Sequence, residues 1–242
     1  MTILINIDSL PYVFRIGSII KTSKGRLTRR RLGYLIGKLL DEKKLLKIGN
    51  GLYSKGGNVF YIACYVYKGY IGLSSALYLH GLKTEVEGTV YVCTSSPRKG
   101  MRIMDSMLVP VNMSGLQYGT TELAMEEKRV MVSTYPKTVF DMLAKPRYAN
   151  YFDMYRALNE RHMEKEEWDE LLYYAKSSST TQIRRIGYAM EGIAPGRFTD
   201  ELLKLSGRKP GASFFFRHKA VNYSMKWKLF DDLSVRRWLN AV

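Results

Sequence analysis

Cysteine and histidine are scarce in this sequence of 242 residues, and their scarcity excludes several kinds of site. The two cysteines, Cys64 and Cys93, stand without CxxC spacing, so we expect buried free thiols of a cytosolic protein rather than a disulfide bridge. The three histidines lie far apart and form no HxxxH pair, whereas zinc sites need clustered nitrogen or sulfur ligands. The sequence therefore predicts neither a metal ion nor another cofactor.

Long apolar runs and the short motifs of common enzymes are also missing. No run of about 18 apolar residues exists, which predicts that the chain has no membrane-spanning helix. The first residues, MTILINIDSL, lack the basic head of a signal peptide, so a cytoplasmic location is expected. The motifs GxxxxGK[ST], GxGxxG and GxSxG are absent. The acidic residues between positions 164 and 170 have the spacing of an exposed helix face, so the sequence predicts no catalytic site.

Positive charge is concentrated at the two ends of the chain. Lys and Arg number 38 against 22 Asp and Glu, which gives a net charge of +16. Residues 1–60 contain 12 basic and 3 acidic residues, a net charge of +9, and residues 206–242 contain 8 and 2, a net charge of +6. Residues 61–205 are nearly neutral, with 18 and 17. Charge this uneven indicates a polyanionic partner such as nucleic acid, with a generally basic surface as the alternative.

The stretch RLTRRRLGYLIGKLLDEKK, from position 26 to position 44, predicts a basic amphipathic helix. Its apolar residues recur at i, i+3, i+4, i+7 and i+8, which marks one buried face with a period of 3.6 residues. Thr28 suits the N-cap of this helix. The side chains that project from the opposite side are those of Arg30, Arg31, Tyr34 and Lys38. Arginines at the positive end of a helix dipole are unfavourable without a counter-charge, and a phosphate group would supply one.

Two glycines lie on one flank of the same helix, and a turn follows it. Gly33 and Gly37 each destabilise a helix by roughly 1 kcal/mol relative to alanine. They would let another backbone approach closely, belonging either to DNA or to a neighbouring helix. The segment LLKIGNGLYSKGG comes next, and its Asn50-Gly51 pair between short apolar segments predicts a β-hairpin.

These elements together predict an N-terminal winged helix-turn-helix over residues 1–57. The upstream segment IDSLPYVFRIGSIIKTSKG can supply one or two supporting helices. In such modules the basic helix enters the major groove, and we expect the hairpin, or wing, to touch flanking phosphates. A small α+β unit with a solvated basic face is the alternative. The residues predicted to contact double-stranded DNA are Lys24, Arg26, Thr28, Arg29, Arg30, Arg31, Tyr34, Lys38, Lys47, Asn50 and Lys55.

Residues 58–242 are predicted to complete an α+β protein in three parts. A small mixed sheet is expected over about 58–135, with NVFYIACYVY as a buried strand and SSALYLHGL as a helix. Further strands are expected at GTVYVCTSS, MRIMDSMLVPVNM and KRVMVSTY. Amphipathic segments predict a mainly helical part over about 136–205. In the tail, 206–242, cations and aromatics interleave as in single-stranded nucleic-acid sites, but core packing is the favoured interpretation.

One of the predicted C-terminal helices carries a second pair of arginines. The segment TTQIRRIGYAMEGI has an apolar face that includes Ile183 and Ile186. Arg184, Arg185 and Tyr188 lie largely away from this face, so we expect them at the surface. Ordinary surface ion pairs are the alternative to a functional role for these arginines.

Four motifs follow one another along the chain: a basic winged helix with the hairpin GNGLY, then SSALYLHGL, then YPKTVFDMLAKPRY, then TQIRRIGYAMEG. Over about residues 10–195 their order resembles the AbiEi-type transcriptional regulators, which are the antitoxins of type IV toxin–antitoxin systems. The resemblance implies a repressor whose winged helix binds its own operator, commonly inverted repeats. It also implies that the C-terminal region counteracts a nucleotidyltransferase-like toxin without a stable complex. Arg184, Arg185 and Tyr188 would then form an antitoxin surface.

Two other functions are compatible with the sequence. An RNA- or tRNA-binding protein would use the basic segments at both ends of the chain. The second alternative is an enzyme, such as a nuclease, that does not carry the usual motifs. A neighbouring gene with a nucleotidyltransferase signature would favour the antitoxin hypothesis over both.

Overall fold

The computed structural model describes residues 7–24, 27–49, 51–85, 88–125, 128–207, 211–216, 222–231 and 233–240. These residues form a mixed α+β fold, which confirms the fold class expected from the sequence. None of their helices has the length and apolar character needed to cross a lipid bilayer.

The N-terminal part combines short helices with a three-stranded sheet. Its elements are a 3-10 helix Ile7–Ser9, β1 Val13–Arg15, α1 Ile16–Thr22, α2 Arg29–Asp41, β2 Leu46–Gly49 and β3 Leu52–Ser54. The sheet is antiparallel, in the order β1-β3-β2. The apolar stripe of α2, represented by Leu32 and Ile36, joins Phe14 and Tyr53 of the sheet in one cluster. The basic helix and the hairpin predicted from the sequence are therefore both present.

The middle part is built on a larger, mixed sheet. Its elements are α3 Val59–Tyr67, β4 Tyr70–Ile71, α4 Leu73–Leu79, β5 Thr89–Thr94, β6 Met101–Ile103, β7 Ser106–Asn112, β8 Thr120–Met125 and β9 Lys128–Ser133. The strand order is β6-β7-β5-β4-β9-β8. β5 pairs parallel with β7, and β4 pairs parallel with β9, whereas the remaining neighbours are antiparallel. The edge strand β8 was not foreseen, because none of its residues is buried and it shows no apolar alternation.

The segment NVFYIACYVY is helix α3, so the prediction of a buried strand was wrong. Asn58 begins this helix as its N-cap, with its Oδ1 accepting a hydrogen bond from the Tyr61 amide at 2.9 Å. One side of α3 packs on β5 and β9, and the Tyr61 ring meets the Tyr12 ring edge-on at 5.1 Å. A helix that is covered on several sides is apolar almost all round. Such a run lacks the helical period, and its β-branched and aromatic residues favoured a strand.

The C-terminal part is mainly helical and carries a small third sheet. Its elements are α5 Tyr135–Ala144, a 3-10 helix Pro146–Tyr148, α6 Tyr151–Glu160, α7 Lys165–Lys176, α8 Thr180–Met190, α9 Gly196–Ser206, β10 Ser213–Phe214, β11 Asn222–Ser224, β12 Leu229–Asp231 and a 3-10 helix Val235–Asn240. Helices α5 to α8 match predicted segments. Helix α9 lies within the predicted helical part, but no segment was assigned to it, since it begins after Pro195 without a capping side chain. β12 pairs parallel with β10 and antiparallel with β11.

The mixed sheet is covered on both faces. On one face Val92 belongs to the same apolar cluster as Phe60 and Ile62 of α3. On the other face the next residue along β5, Cys93, belongs to a cluster with Leu77 of α4 and Leu143 of α5. Successive residues of a strand point to opposite faces, so β5 contributes to both clusters.

The N-terminal sheet and the mixed sheet share part of their core. Val13 of β1 and Leu52 of β3 are 1% and 3% exposed, and they belong to the apolar cluster that includes Phe60 and Val90. Residues on either side of the predicted boundary at 57 are therefore packed together. A cut at that boundary would expose apolar surface on both pieces, which costs roughly 25 cal/mol per Å².

Candidate nucleic-acid interface

Helix α2 places an apolar face and a basic face on opposite sides. Leu32 and Ile36 are buried, whereas Tyr34 is 76% exposed. Arg30 and Lys38 are also exposed, and residues four apart lie on one side of a helix. The ring of Tyr34 therefore lies between two cations on the outer face of α2.

The first turn of α2 holds three exposed arginines at the positive end of the helix dipole. Thr28 is the N-cap predicted from the sequence, and its Oγ1 accepts a hydrogen bond from the Arg31 amide at 3.3 Å. No acidic residue lies in this turn, and no carboxylate within the described ranges forms an ion pair with Arg29 or Arg30. An external anion would be stabilised at this end by both the dipole and the guanidinium groups.

The two glycines of α2 face open space. A Cβ atom built on Gly33 or Gly37 would have no neighbour within 4 Å. The described part of the chain therefore supplies no helix that packs against this flank. Of the two partners considered for these glycines, a neighbouring helix is not seen there. Close approach of a DNA backbone stays a prediction.

The two lysines of the hairpin that were predicted to contact DNA differ in their exposure. Gly51 lies in the turn with φ +69°, a conformation that glycine adopts readily, and Asn50 lies outside the described residues. Lys47 of β2 is exposed. Lys55 is half-buried, and its Nζ donates to the backbone oxygen of Asp8 at 3.2 Å. Lys47 is therefore the freer cation of the hairpin, and Lys55 also ties β3 to the start of the chain.

A groove beside α2 brings in two cations that sequence reasoning missed. Arg15, Lys21 and Arg29 line it together, although they belong to the end of β1, the last turn of α1 and the start of α2. Lys24 is exposed just after α1, and Arg26 lies outside the described residues. The sequence pattern could not join Arg15 to Arg29, because the packing of α1 with β1 and with α2 brings them to one groove.

The second pair of arginines, on α8, is not a free surface, so the expectation of exposure was wrong. Arg184 is 2% exposed, and its guanidinium group donates to the backbone oxygens of Gly211 at 2.7 Å and Ser206 at 3.2 Å. Arg185 is half-buried, and its Nη2 donates to the backbone oxygen of Phe214 at 3.2 Å. The segment after α9 covers this side of the helix and uses the arginines to satisfy its carbonyl groups.

Tyr188, the third residue of the predicted antitoxin surface, is also buried. Its hydroxyl group donates to Oδ2 of Asp231 at 2.9 Å, and both burial and that carboxylate raise the pKa of Tyr188. One residue earlier on the helix, a Cβ on Gly187 would lie 2.0 Å from the Trp227 ring. Trp227 is fully buried, which confirms core packing for this aromatic residue of the tail. It is unavailable for stacking on a nucleic-acid base.

The motif KTVFD contributes a buried ion pair rather than an accessible site. Lys137 and Asp141 on α5 have no exposed side-chain surface, and the Lys137 ammonium group bonds to Oδ1 of Asp141. Lys137 Nζ also donates to the Tyr70 hydroxyl at 3.0 Å, and that hydroxyl donates to Asp141 Oδ2 at 2.9 Å. Burial raises the pKa of Asp141, and Lys137 partly opposes the rise. The pair joins α5 to β4, and no substrate can reach it in this conformation.

Several further groups of the described residues that could take part in chemistry are occupied or made unreactive by their surroundings. Burial raises the pKa of the Cys64 thiol to about 12, so a thiolate is scarce at neutral pH. His80 is within 2.8 Å of the Ser133 backbone oxygen through Nε2, and burial lowers its pKa. The acidic segment at the start of α7 caps that helix, since Glu164 and Glu167 form a capping box. No group of three His, Cys, Asp or Glu that could hold a metal ion occurs in the described ranges.

By its fold, this protein belongs to the mixed α+β class. Its similarity to known proteins is a similarity of fold. No protein-family model matches the sequence, and no curated protein does. A solved structure with a similar fold is the RV2827C protein from Mycobacterium tuberculosis, with a TM-score of 0.62. The alignment covers 96% of this chain and 89% of that chain at 12% sequence identity. At this identity the likeness establishes the fold alone.

Proposed function

We propose that this protein binds double-stranded DNA through its N-terminal part and acts as a transcriptional repressor. The observation that carries the proposal is the exposed cationic face of α2. Its arginines stand at a helix N-terminus, and no carboxylate of the described residues is paired with Arg29 or Arg30. A polyanion would offset this unfavourable concentration of charge.

The arrangement of α1, α2 and the β2–β3 hairpin supports a winged helix-turn-helix mode of binding. In that mode α2 is the recognition helix, and its exposed face enters the major groove. Arg30, Tyr34 and Lys38 would then face base edges or the adjacent phosphates. Lys47 on the hairpin would contact a flanking phosphate. Duplex RNA fits this mode poorly, because its major groove is deep and narrow.

The role as the antitoxin of a type IV system rests on the resemblance of the motifs. Repression would be carried by the N-terminal part, and relief of toxicity by residues from about 60 onward. The partner would be a nucleotidyltransferase-like toxin, opposed without a stable complex. Because Arg184 and Tyr188 are buried, the surface responsible would lie elsewhere in this region.

The test of DNA binding compares two variants with the same loss of charge. In the first, Arg30 and Arg31 are both replaced by Ala. In the matched control, Arg129→Ala and Arg197→Ala remove two arginines whose side chains are 77% and 73% exposed far along the chain. Affinity for the duplex upstream of the protein's own gene is measured by fluorescence anisotropy over a range of salt concentrations.

The Arg30→Ala/Arg31→Ala variant is expected to bind more weakly, with a salt slope smaller by about 2, one unit for each lost phosphate contact. The control is expected to keep the affinity of the unmodified protein. Equal weakening of both variants would show that affinity depends only on net charge. It would contradict the assignment of α2 as the DNA-binding helix. Equal binding of the same sequence as duplex RNA would favour the RNA-binding alternative.

The antitoxin role is tested with the full chain, because residues on both sides of position 57 share a core. The protein and its Arg30→Ala/Arg31→Ala variant are each expressed with the toxin encoded beside its gene, from a promoter that neither protein controls. If the C-terminal region opposes the toxin, both rescue growth equally. If neither protein rescues growth from a toxin that neither represses, repression would be the whole antitoxic effect.

A further inference from the structure

We propose that the groove lined by Arg15, Lys21 and Arg29 seats one strand of the DNA sugar–phosphate backbone. We call it the α1–α2 groove. This inference rests on the proposed DNA-binding function and extends it. The groove supplies a second line of contacts, distinct from the outer face of α2, and two of its three cations lie outside the basic helix.

The positive charge of the groove favours the binding of an anion. All three cationic side chains are exposed, and its lining includes no acidic residue. Within the described residues none of the three takes part in an ion pair. Like charges that converge on one cleft repel one another and raise the local concentration of anions. An anionic ligand bound there would relieve that repulsion.

The walls of the groove are held in place by the backbone. The amide of Ile16 donates to the carbonyl oxygen of Gly51 at 3.2 Å, which ties the first turn of α1 to the hairpin turn. Gly17 and Gly51 also line the groove, and a Cβ on either would meet no atom within 4 Å. The space directly above these two residues is therefore open.

The shape and position of the groove favour a polymer over a small anion. A site for free phosphate would surround it with buried donors, whereas Arg15, Lys21 and Arg29 are all exposed. Arg29 is the first residue of α2, so the groove is continuous with the cationic face that carries Arg30. A strand that borders the major groove would pass from one surface to the other, and each phosphate would meet a different cation.

The experiment uses the full chain with Arg15→Gln and Lys21→Gln together, which removes two charges and keeps most of each side chain. Its matched control is Arg129→Gln with Arg197→Gln. Affinity for the protein's own upstream duplex is measured against salt concentration. Ethylation interference then identifies the phosphates whose modification weakens binding.

The groove variant is expected to bind about tenfold or more weakly at about 0.1 M salt, with a slope smaller by about 2. Phosphates on one strand should lose their interference in this variant and keep it in the control. Its melting temperature should match that of the control, since both changed side chains are exposed.

Three results would overturn the inference, and they are distinguishable. If the unmodified protein binds no duplex, the proposed function fails together with it. If binding depends on Arg30 and Arg31 while the groove variant matches the control, only the groove assignment fails. If inorganic phosphate binds saturably to the unmodified protein and not to the groove variant, the ligand is a small anion rather than a nucleic-acid strand.

Discussion

Helices α2 and α8 both carry adjacent arginines, but those of α2 are exposed whereas those of α8 are covered. On α2, Arg29 and Arg30 are exposed and lack an ion-pair partner among the described residues. On α8, Arg184 is buried and bonds to the carbonyl groups of Ser206 and Gly211. The segment that follows α9 covers α8, whereas the outer face of α2 remains open.

This difference shows what helical periodicity can establish and what it leaves open. The period locates the apolar stripe of each helix correctly, with Leu32 and Ile36 buried on α2 and Ile183 and Ile186 buried on α8. It does not tell whether a second element covers the opposite side. An arginine away from the stripe is therefore a candidate ligand contact only when that side is open.

The largest effect is expected at the most deeply buried cation, Lys137. Asp141→Ala should lower the free energy of unfolding by about 3–5 kcal/mol, because it leaves a buried ammonium group without its carboxylate. Replacing both residues, Lys137→Met with Asp141→Leu, should restore much of that loss. Urea unfolding measures both. A single variant as stable as the double variant would contradict the importance of the pair.

The next prediction compares the stability of an α8 variant with that of an α2 variant. Arg184→Met should lower the free energy of unfolding by about 3 kcal/mol, because several buried carbonyl groups lose a charged donor. Arg30→Met should change it by less than about 0.5 kcal/mol, as exposed substitutions usually do. DNA affinity should follow the reverse order, measured where both variants are folded. The contrast between the helices is lost if the two variants have similar stability.

A smaller effect separates stability from binding on α2. Gly33→Ala with Gly37→Ala should stabilise the protein by about 1 kcal/mol for each substitution, because both positions are helical and face open space. DNA affinity should nevertheless fall severalfold if this flank lies close to the backbone of the duplex. Thermal unfolding and fluorescence anisotropy measure the two effects. Unchanged affinity would show that the flank stays away from DNA.

The smallest effect concerns His80, which burial keeps neutral. Its pKa in the folded protein lies below the ordinary value of 6.5. The folded state therefore binds a proton less readily than the unfolded state, and stability falls as the pH drops below about 6.5. His80→Gln should remove this part of the acid sensitivity. Urea unfolding at several pH values would show parallel curves for the two proteins if His80 does not contribute.

Sequence patterns predicted the elements of this fold well where an apolar period or a strand composition is clear. The helices α5 to α8 and the strands β5 and β9 follow the expected segments. Predictions failed where that signal is missing, as at α3, whose residues Val59–Tyr67 are apolar almost all round and resemble a strand, and at β8, which has no buried residue. Local patterns describe one face at a time, so they cannot report a second layer.

Only part of the candidate DNA interface was predicted, because local patterns cannot report contacts between separate elements. Thr28, Arg30 and Tyr34 belong to one helix, and their relation follows from its period. Arg15 and Lys21 join Arg29 only through tertiary contacts between three elements. The interpretation of Arg184 as a surface residue failed because its partners, Ser206 and Gly211, lie more than twenty positions later in a segment without a clear pattern.

The contact between Gly187 and Trp227 also has a consequence for the order in which the protein is made. These residues are separated by forty positions in the chain, so the ribosome finishes α8 well before it adds the ring that covers it. Until then the surface of α8 at Gly187 lacks the ring that finally covers it. Nascent chains in this state are exposed to association with one another. Slowing translation between α9 and β12 should therefore lower the yield of folded protein more than slowing it before α8.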